Sequence, residues 1–114
     1  YVVIFAGGTG NPFFTTDSTA ALRAGEVGAE VILMAKNGVD GIYDDDPKMN
    51  PNAKKLDKVS YDEIIKKDLK VMDTSACALC KQNNIPINVF DFKAQGSLVK
   101  IMNGEDVGTY VSVN

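Results

Sequence analysis

The sequence predicts an α/β fold in which a mostly parallel sheet is sandwiched by helices. Short apolar runs alternate with segments of helical character along the whole chain, which is typical of this class. Residues 1–35 also follow the strand–loop–helix–strand order of a parallel βαβ unit. No internal repeat, low-complexity tract or linker interrupts the pattern, so we predict one α/β segment over residues 1–114.

The first third of the chain places two strands around one helix. Residues 1–6 are continuously apolar up to a glycine pair, which predicts a buried strand, and residues 30–35 have the same character. Between them Thr16 or Asp17 offers N-cap chemistry for an alanine-rich segment, and Gly28 ends it. In order, we predict a strand at 1–6, a loop at 7–16, a helix at 17–27 and a strand at 30–35.

Capping and turn signals divide the rest of the chain. Ser60 and Glu63 match a capping box, so a helix begins there and is expected to bury Ile64 and Ile65. Asp73, or Thr74 beside it, caps a later helix. The predicted elements are a short strand at 42–43, a polar loop at 44–53, a strand at 56–59, helices at 60–67 and 73–82, a strand at 87–90, a helix at 95–102 and a strand at 107–113.

Composition excludes several classes of function. The 114 residues carry 12 Lys and Arg against 15 Asp and Glu, a net charge of −3 without a basic block, so we expect no nucleic-acid partner. No apolar run approaches the roughly 20 residues of a membrane span, and no signal peptide is evident, so we expect no membrane partner. The chain begins in an apolar run without an initiator Met, and we therefore expect it to be a segment of something longer.

The two cysteines, Cys77 and Cys80, form a C-x-x-C motif within a predicted helix. A structural zinc site needs about four ligands, and the chain has neither a third Cys nor any His. A redox pair belongs at a strand-to-helix junction instead. We therefore interpret both as small apolar core residues, with redox or metal chemistry as the alternative, and free thiols predict a reducing, cytoplasmic location.

A glycine-rich stretch at the end of the first predicted strand is the main candidate site. Residues 7–17 read Gly-Gly-Thr-Gly-Asn-Pro-Phe-Phe-Thr-Thr-Asp and open a helix. The first N–H groups of a helix lack intrahelical partners, and glycine lets the backbone approach an anion closely. The stretch therefore predicts a phosphate site. Because it lacks the P-loop and dinucleotide fingerprints, a structural turn at a sheet edge stays as the alternative.

Asp17 and Lys36 are candidate catalytic residues. A carboxylate repels a phosphate unless a cation separates them, and Lys36 follows the second predicted strand at the same carboxyl end of the sheet. Together they match the positioning and neutralising groups of phosphoryl transfer. Taken alone, Asp17 is explained equally well as a helix cap, and Lys36 is explained equally well as a member of a surface ion pair.

Residues 37–47 form a second candidate site, which includes the run Asp44-Asp45-Asp46. Counted from Asp44, position six is Met49 where an EF-hand loop has Gly, so this is not a calcium loop of that type. One interpretation is a nucleoside pocket, with Tyr43 as a flat apolar wall and Asp46 accepting hydrogen bonds. The other is a solvated acidic turn.

These motifs resemble the bacterial uridylate (UMP) kinases of the amino-acid kinase superfamily. The most specific is Gly-Thr-Gly-Asn-Pro-Phe-Phe-Thr-Thr-Asp at 8–17, whose Asn-Pro-Phe-Phe-Thr-Thr run is not shared by the aspartate, glutamate and carbamate kinases of that superfamily. The likeness covers essentially the whole chain, which looks like the C-terminal half of an amino-acid-kinase-like domain. It continues at residues 35–43, 46–47, 69–73, 86–90 and 104–109.

The resemblance implies transfer of a phosphoryl group from ATP to UMP, with Mg²⁺ accompanying ATP. Asp17 matches an aspartate near the transferring phosphoryl group, and Lys36 is the second catalytic candidate. It also implies a homohexamer regulated by GTP and UTP. The UMP-binding positions it implies are Thr9, Gly10, Asn11, Pro12, Phe13, Phe14, Thr15 and Thr16, and the ATP-binding positions are Asn37, Tyr43 and Asp46.

One departure from that family is large. Its members begin with a phosphate loop containing Lys and Gly, then a Gly-Gly-Gly-Asn segment and an Arg and an Asp that contact nucleotides, and none of these occurs here. We therefore expect the isolated 114-residue chain to be inactive. The alternatives are a non-catalytic nucleotide-binding module and a superfamily kinase with a carboxylate or carbamate acceptor.

Overall fold

A computed structural model describes residues 2–37, 39–46, 48–69, 72–93, 96–105 and 107–113. Predicted features that lie outside these ranges are Tyr1 of the first strand, Gln95 of the last helix, and Gly38, Pro47, Lys70, Val71 and Asp106 of the resembling motifs. In chain order the described elements are α1 (Thr16–Val27), β1 (Ile32–Lys36), β2 (Ile42–Tyr43), β3 (Lys55–Leu56), β4 (Lys58–Ser60), α2 (Tyr61–Lys67), α3 (Thr74–Gln82), β5 (Ile87–Asp91), α4 (Ser97–Met102) and β6 (Thr109–Ser112).

Four strands form the main sheet, in the order β1-β5-β6-β4. The β1–β5 and β4–β6 pairs are parallel, and the β5–β6 pair is antiparallel. The predicted α/β fold with a mostly parallel sheet is therefore confirmed. Strands β2 and β3 form a separate antiparallel pair, here called the β2–β3 hairpin, in which Ile42 lies opposite Leu56.

The core lies between this sheet and helices α1, α2 and α3. Helix α1 packs against α3 and β1, and α2 packs against α3 and β4. Tyr61, the first residue of α2, is fully buried, and its hydroxyl donates to the Ile85 carbonyl at 2.5 Å. The buried residues of this core are Ala21, Ile42, Val59, Tyr61, Ile64, Ala76, Cys77, Cys80, Ile87, Val89 and Val111.

Cys77 and Cys80 lie one turn apart on α3, and both are free thiols buried in that core. Their predicted role as small core residues is therefore confirmed. Burial raises the pKa of both thiols, that of Cys77 to about 11. Protonated thiols are poor nucleophiles and poor metal ligands, which fits a packing role.

The predicted buried strand at residues 1–6 is wrong for the part that the structure describes. Residues 2–6 form no strand, and Val2 and Ile4 are 94% and 86% exposed. An extended apolar run becomes a strand only where a neighbouring strand pairs with its N–H and C=O groups, and none of the described strands does so. The predicted βαβ unit is therefore absent there, and the parallel pairing comes from β1–β5 and β4–β6 instead.

Helix ends follow capping chemistry, with two corrections. Thr15 caps α1, rather than Thr16 or Asp17, because its extended backbone lets its hydroxyl accept from the Ser18 N–H at 3.4 Å. Gly28 ends α1 in the left-handed conformation, as predicted. Ile65 is exposed rather than buried as predicted, because it points about 100° around the helix from Ile64, which faces the core.

Other boundaries shift by a few residues. The predicted strand at 56–59 is two strands, β3 and β4, which belong to different sheets and are separated by Asp57. Ser60 caps α2 as predicted and accepts from the Glu63 N–H at 3.1 Å. Strand β1 is half-buried rather than buried. None of the helices in the described ranges has the length and apolarity to traverse a bilayer.

Strand β6 can approach β5 only because residue 108 is glycine. Gly108 has φ +77, and a Cβ there would lie 1.9 Å from the Val89 carbonyl oxygen. That oxygen belongs to the backbone of β5 and cannot move away without disturbing the sheet. Gly104, with φ +82, has nothing within 4 Å of the corresponding position.

We expect Gly108→Ala to lower the free energy of unfolding by on the order of 3 kcal/mol, since it adds a backbone clash to left-handed strain. Gly104→Ala introduces left-handed strain without a clash, so it should lower the free energy of unfolding by only about 1 kcal/mol. Urea unfolding followed by circular dichroism measures both. Equal losses for the two variants would show that contact with Val89 contributes nothing.

Candidate active site

The glycine loop, residues 7–15, is an exposed turn that leads into α1. Its backbone is left-handed at Gly7, Gly8, Gly10 and also at Phe13, where φ is 70°. Thr9 shapes the turn, because its hydroxyl accepts from the Asn11 N–H at 3.1 Å. The repeated left-handed residues fold the chain back at the N-terminus of α1, where the helix presents unpaired N–H groups and positive potential.

The positions that the resemblance assigns to UMP all lie in or next to this loop. Asn11 through Thr16 are exposed, Phe13 fully so, while Thr9 is half-buried. The loop therefore leaves open the space that an oxyanion needs. Residues 11–16 are not buried beneath other elements, which would have excluded a phosphate site.

Thr15 and Asp17 connect α1 to α3 through Asp73. The Thr15 hydroxyl donates to Asp73 Oδ2, and the Asp73 N–H donates to Asp17 Oδ2 at 3.3 Å. Within the first turns of the same two helices, the Ser18 and Ser75 hydroxyls are 3.1 Å apart. These contacts hold the first turn of α1 against the first turn of α3, and with it the loop end and the Asp17 carboxylate.

Asp17 opens into a cavity of about 500 Å³, here called the acidic cavity. It contains three carboxylates on an otherwise mostly apolar wall. Its lining residues are Asp17, Ile64, Ile65, Asp68, Leu69, Met72, Asp73, Thr74 and Cys77. The concentration of negative charge favours a cation or a donor-rich group here, rather than a bare phosphate.

A second cavity of about 600 Å³ lies beside the β2–β3 hairpin and is here called the hairpin cavity. It brings together Lys36, Tyr43 and Asp46, which the sequence suggested from separate motifs. Asn37 is exposed and does not line it, although it directly follows Lys36. The remaining lining residues are Val39, Gly41, Ile42, Asp44, Asp45, Lys48, Lys67, Asp68, Leu69 and Val89.

The three carboxylates of the acidic run at residues 44–46, which borders the hairpin cavity, all accept hydrogen bonds from residues of the same loop. Asp44 Oδ1 accepts from the Lys54 N–H at 2.8 Å, and Asp46 Oδ1 accepts from the Lys48 N–H at 2.9 Å. Asp45 Oδ2 accepts from Asn50 at 3.0 Å, which lowers the pKa of Asp45. Each carboxylate thus accepts a hydrogen bond from within the loop that joins β2 to β3, and the run needs no cation to explain it.

Asp40 holds Tyr43 on the wall of this cavity, because the Tyr43 hydroxyl donates a hydrogen bond to Asp40 Oδ1 at 2.8 Å. That hydrogen bond raises the pKa of Tyr43. The phenol is therefore neutral near pH 7, and its ring can serve as a flat apolar surface. Across the cavity, Lys36 ends β1 and its carbonyl accepts from the Phe92 N–H at 2.8 Å, which anchors the strand end.

The two catalytic candidates do not share a cavity. Asp17 lines the acidic cavity and Lys36 lines the hairpin cavity, and the two cavities have Asp68 and Leu69 in common. These two wall residues were not predicted. Asp68 is left-handed at the end of α2, and nothing in its local sequence distinguishes it from any polar residue that follows a helix. Their position between the two cavities follows from long-range packing alone.

Comparison with known proteins identifies the family that this chain matches and the relatives to which it is similar. Residues 1–91 match the model of the amino acid kinase family. A chloroplastic uridylate kinase of Arabidopsis thaliana named PUMPKIN is 58% identical over 110 residues, which are 96% of this chain and 32% of that protein. A uridylate kinase of Pediococcus pentosaceus is 56% identical over 110 residues, 96% of this chain and 46% of that protein.

A solved structure shows the same architecture. The UMP kinase of Bacillus anthracis superposes on the whole of this chain with a TM-score of 0.97 and 42% identity, over 47% of its own length. This chain thus spans less than half the length of the relatives it matches. The resemblance stated from the motifs alone is confirmed, and so is the fold that it implied.

We expect the free energy of unfolding to fall between pH 9 and pH 11 because of Cys77. Burial, reinforced by Cys80, Asp17 and Asp73, raises the pKa of this thiol from 9.0 to about 11. Above pH 9 the unfolded chain releases the proton and the folded chain retains it, so the stabilisation is complete below pH 9 and is lost as the pH rises through 11. Urea midpoints at pH 8 to 11 measure the change.

Cys77→Ala should reduce that alkaline decline without abolishing it, because the buried Cys80 thiol and Tyr61 phenol, whose pKa values are also raised, still contribute. Ser18→Ala is the control, because it removes a buried hydroxyl that does not titrate in this range. It should lower the midpoint equally at every pH. A Cys77→Ala protein with the same alkaline slope as wild type would refute the assignment.

Proposed function

Because the chain belongs to the amino acid kinase family, we propose that it is part of an enzyme that transfers the γ-phosphoryl group of ATP to UMP and forms UDP. The relatives named uridylate kinase and UMP kinase support the choice of acceptor. The observation that carries the proposal is the exposed glycine loop that turns into α1, with Asp17 in the cavity behind it.

In this proposal the glycine loop holds UMP. Residues 10–16 are exposed at the positive end of α1, and a phosphate placed there meets N–H donors and no fixed carboxylate from the loop itself. Thr16 adds a hydroxyl group at the loop end, while the Thr15 hydroxyl donates to Asp73. The contact of Thr15 with Asp73 keeps this end of the loop in one position relative to α3, which reduces the entropy lost on binding.

ATP occupies the hairpin cavity in this proposal. Tyr43 supplies a flat wall for the base, Asp46 accepts from hydroxyl or amino groups, and Lys36 supplies a positive charge. A carboxylate that already accepts from the Lys48 N–H retains further acceptor capacity, so Asp46 can serve both purposes. Asn37, next to Lys36, is the remaining ATP position.

Catalysis requires little covalent chemistry from the protein. A phosphate monoester is largely ionised near pH 7, so the acceptor oxygen needs no general base. The work is to hold the donor and acceptor in line and to offset the negative charge. We assign Lys36 to charge neutralisation and Asp17 to the organisation of cationic groups at the junction of the two cavities.

Mg²⁺ enters as part of the ATP substrate. In the described ranges no three acidic, Cys or His side chains converge on a common metal position. Mg²⁺ is usually bound by one or two carboxylates together with nucleotide phosphates, and Asp17 in the acidic cavity fits that requirement. Bound to ATP, the ion would neutralise phosphate charge.

The same resemblance supports a homohexameric assembly, regulation by GTP and UTP, and a cytoplasmic location. Free buried thiols at Cys77 and Cys80 are consistent with a reducing compartment. We also propose that activity needs polypeptide equivalent to the rest of the relatives' length, since this chain spans less than half of it.

The direct test is UDP formation from ATP, UMP and Mg²⁺. We expect no turnover by the 114-residue chain alone, and turnover when it is mixed with the N-terminal part of the Pediococcus pentosaceus relative that it does not match. Each part alone is the control. Robust turnover by the chain alone would contradict the need for a second part, and UMP-independent consumption of ATP would exclude UMP as the acceptor.

We expect Asp17→Asn in the full-length enzyme to reduce kcat by roughly 100-fold or more, because it removes the charge that organises the site. Folding should be retained, since Thr15 provides the cap and the amide oxygen of Asn can still accept from the Asp73 N–H. Asp62→Asn makes the same chemical change on an exposed residue of α2 and should leave kcat unchanged. A kcat equal to wild type in Asp17→Asn would remove Asp17 from the mechanism.

A further inference from the structure

The hairpin cavity has a wall that belongs to a different sheet from its floor. Ile42 and Tyr43 of β2 line it, while Lys36 and Val89 come from the main sheet. The distance between these two groups therefore depends on how the β2–β3 hairpin is joined to the main sheet. Thr109, the first residue of β6, makes that connection.

The Thr109 side chain bridges the two strands of the hairpin. Its hydroxyl accepts from the Ile42 N–H at 2.8 Å and donates to the Leu56 carbonyl. Ile42 and Leu56 are opposite each other in the hairpin, so one hydroxyl ties both members of a cross-strand pair to β6. Thr109 is fully buried, which excludes water as a ready substitute partner.

Close packing on both sides of Thr109 keeps the hydroxyl in this place. A Cβ at Gly41, the residue before Ile42, would lie 2.6 Å from Thr109 Oγ1. The residue before Thr109 is Gly108, which is pressed against the Val89 carbonyl of β5. A glycine on each side thus lets the hairpin and β5 approach Thr109 together, and Val89 itself lines the hairpin cavity.

We propose that Thr109 is a positioning residue for the nucleotide donor: its hydroxyl sets the separation between the β2 wall and the main-sheet floor of the hairpin cavity. The inference rests on the proposed function in that it takes ATP as the occupant of this cavity. Thr109 does not line the cavity and acts through Ile42 and its neighbour Tyr43.

Two substitutions at Thr109 distinguish the effect of the hydroxyl from the effect of the side-chain shape. Thr109→Val keeps the approximate shape and removes the hydrogen bonds to the Ile42 N–H and the Leu56 carbonyl, while Thr109→Ser keeps both hydrogen bonds. In the full-length enzyme we expect Thr109→Val to raise the KM for ATP roughly tenfold, with kcat and the KM for UMP within about twofold of wild type. We expect Thr109→Ser to stay within about twofold of wild type in all three.

Tyr61→Phe is the matched control. It also removes a buried hydroxyl-to-carbonyl hydrogen bond, but in the α2 core and away from the hairpin. It should lower the melting temperature without raising the KM for ATP. If Tyr61→Phe raises that KM as much as Thr109→Val, or if Thr109→Val raises the KM for UMP equally, the effect is general destabilisation and the inference is wrong.

Hydrogen exchange tests the connection between Thr109 and the hairpin independently of activity. The Ile42 amide should exchange at least about tenfold faster in Thr109→Val than in wild type, with wild-type protection restored in Thr109→Ser. If wild-type enzyme makes no UDP, the proposed function fails, and this exchange measurement still tests the connection. If wild-type enzyme is active and Thr109→Val leaves the KM for ATP unchanged, the inference alone is overturned, and unchanged exchange at Ile42 would show in addition that the connection is absent.

Discussion

The close contact of β6 with its neighbours is the constraint on which most of this structure depends. Strand β6 lies between β5 and β4 in the main sheet, and its first residue also holds the β2–β3 hairpin. Gly108 makes the contact possible, because any side chain would collide with the Val89 carbonyl. Without this contact, β4 and α2 after it would lose their link to β5, and one wall of the hairpin cavity would lose its attachment.

The second organising feature is the contact between the first turns of α1 and α3. Thr15, Asp17 and Asp73 connect two helix N-termini whose dipoles both favour negative charge. This explains how two carboxylates can lie close together at the edge of the acidic cavity. It also gives Asp17 a structural partner, so the loop end and the carboxylate move as one unit.

The two cavities divide the proposed work. The acidic cavity carries Asp17 and the hairpin cavity carries Lys36, with Asp68 and Leu69 as their common wall. In the proposed reaction, the phosphoryl group passes between a donor held by the hairpin cavity and an acceptor held by the glycine loop. In this proposal, a chain that spans less than half the length of these relatives carries residues for both the donor and the acceptor.

Local physical chemistry made much of the fold predictable from the sequence. Gly28 ends α1 and Ser60 caps α2 because capping involves only a few neighbouring residues. The family resemblance was also readable, since the residues 8–17 motif is contiguous. The strand predicted at 1–6 failed for residues 2–6 because pairing depends on a partner strand, which a local apolar run does not specify.

Tertiary structure alone decided which distant residues meet. Thr109 bonds to Ile42 and Leu56, and Thr15 bonds to Asp73, although these partners are far apart in the chain. Asp68 lines both cavities, although nothing in its local sequence indicates this. The sequence by itself determined several helix caps, several turns and the family, because these depend on short-range propensities and contiguous motifs. The arrangement of the two cavities depended on side-chain packing between sheets and helices, which only the folded chain specifies.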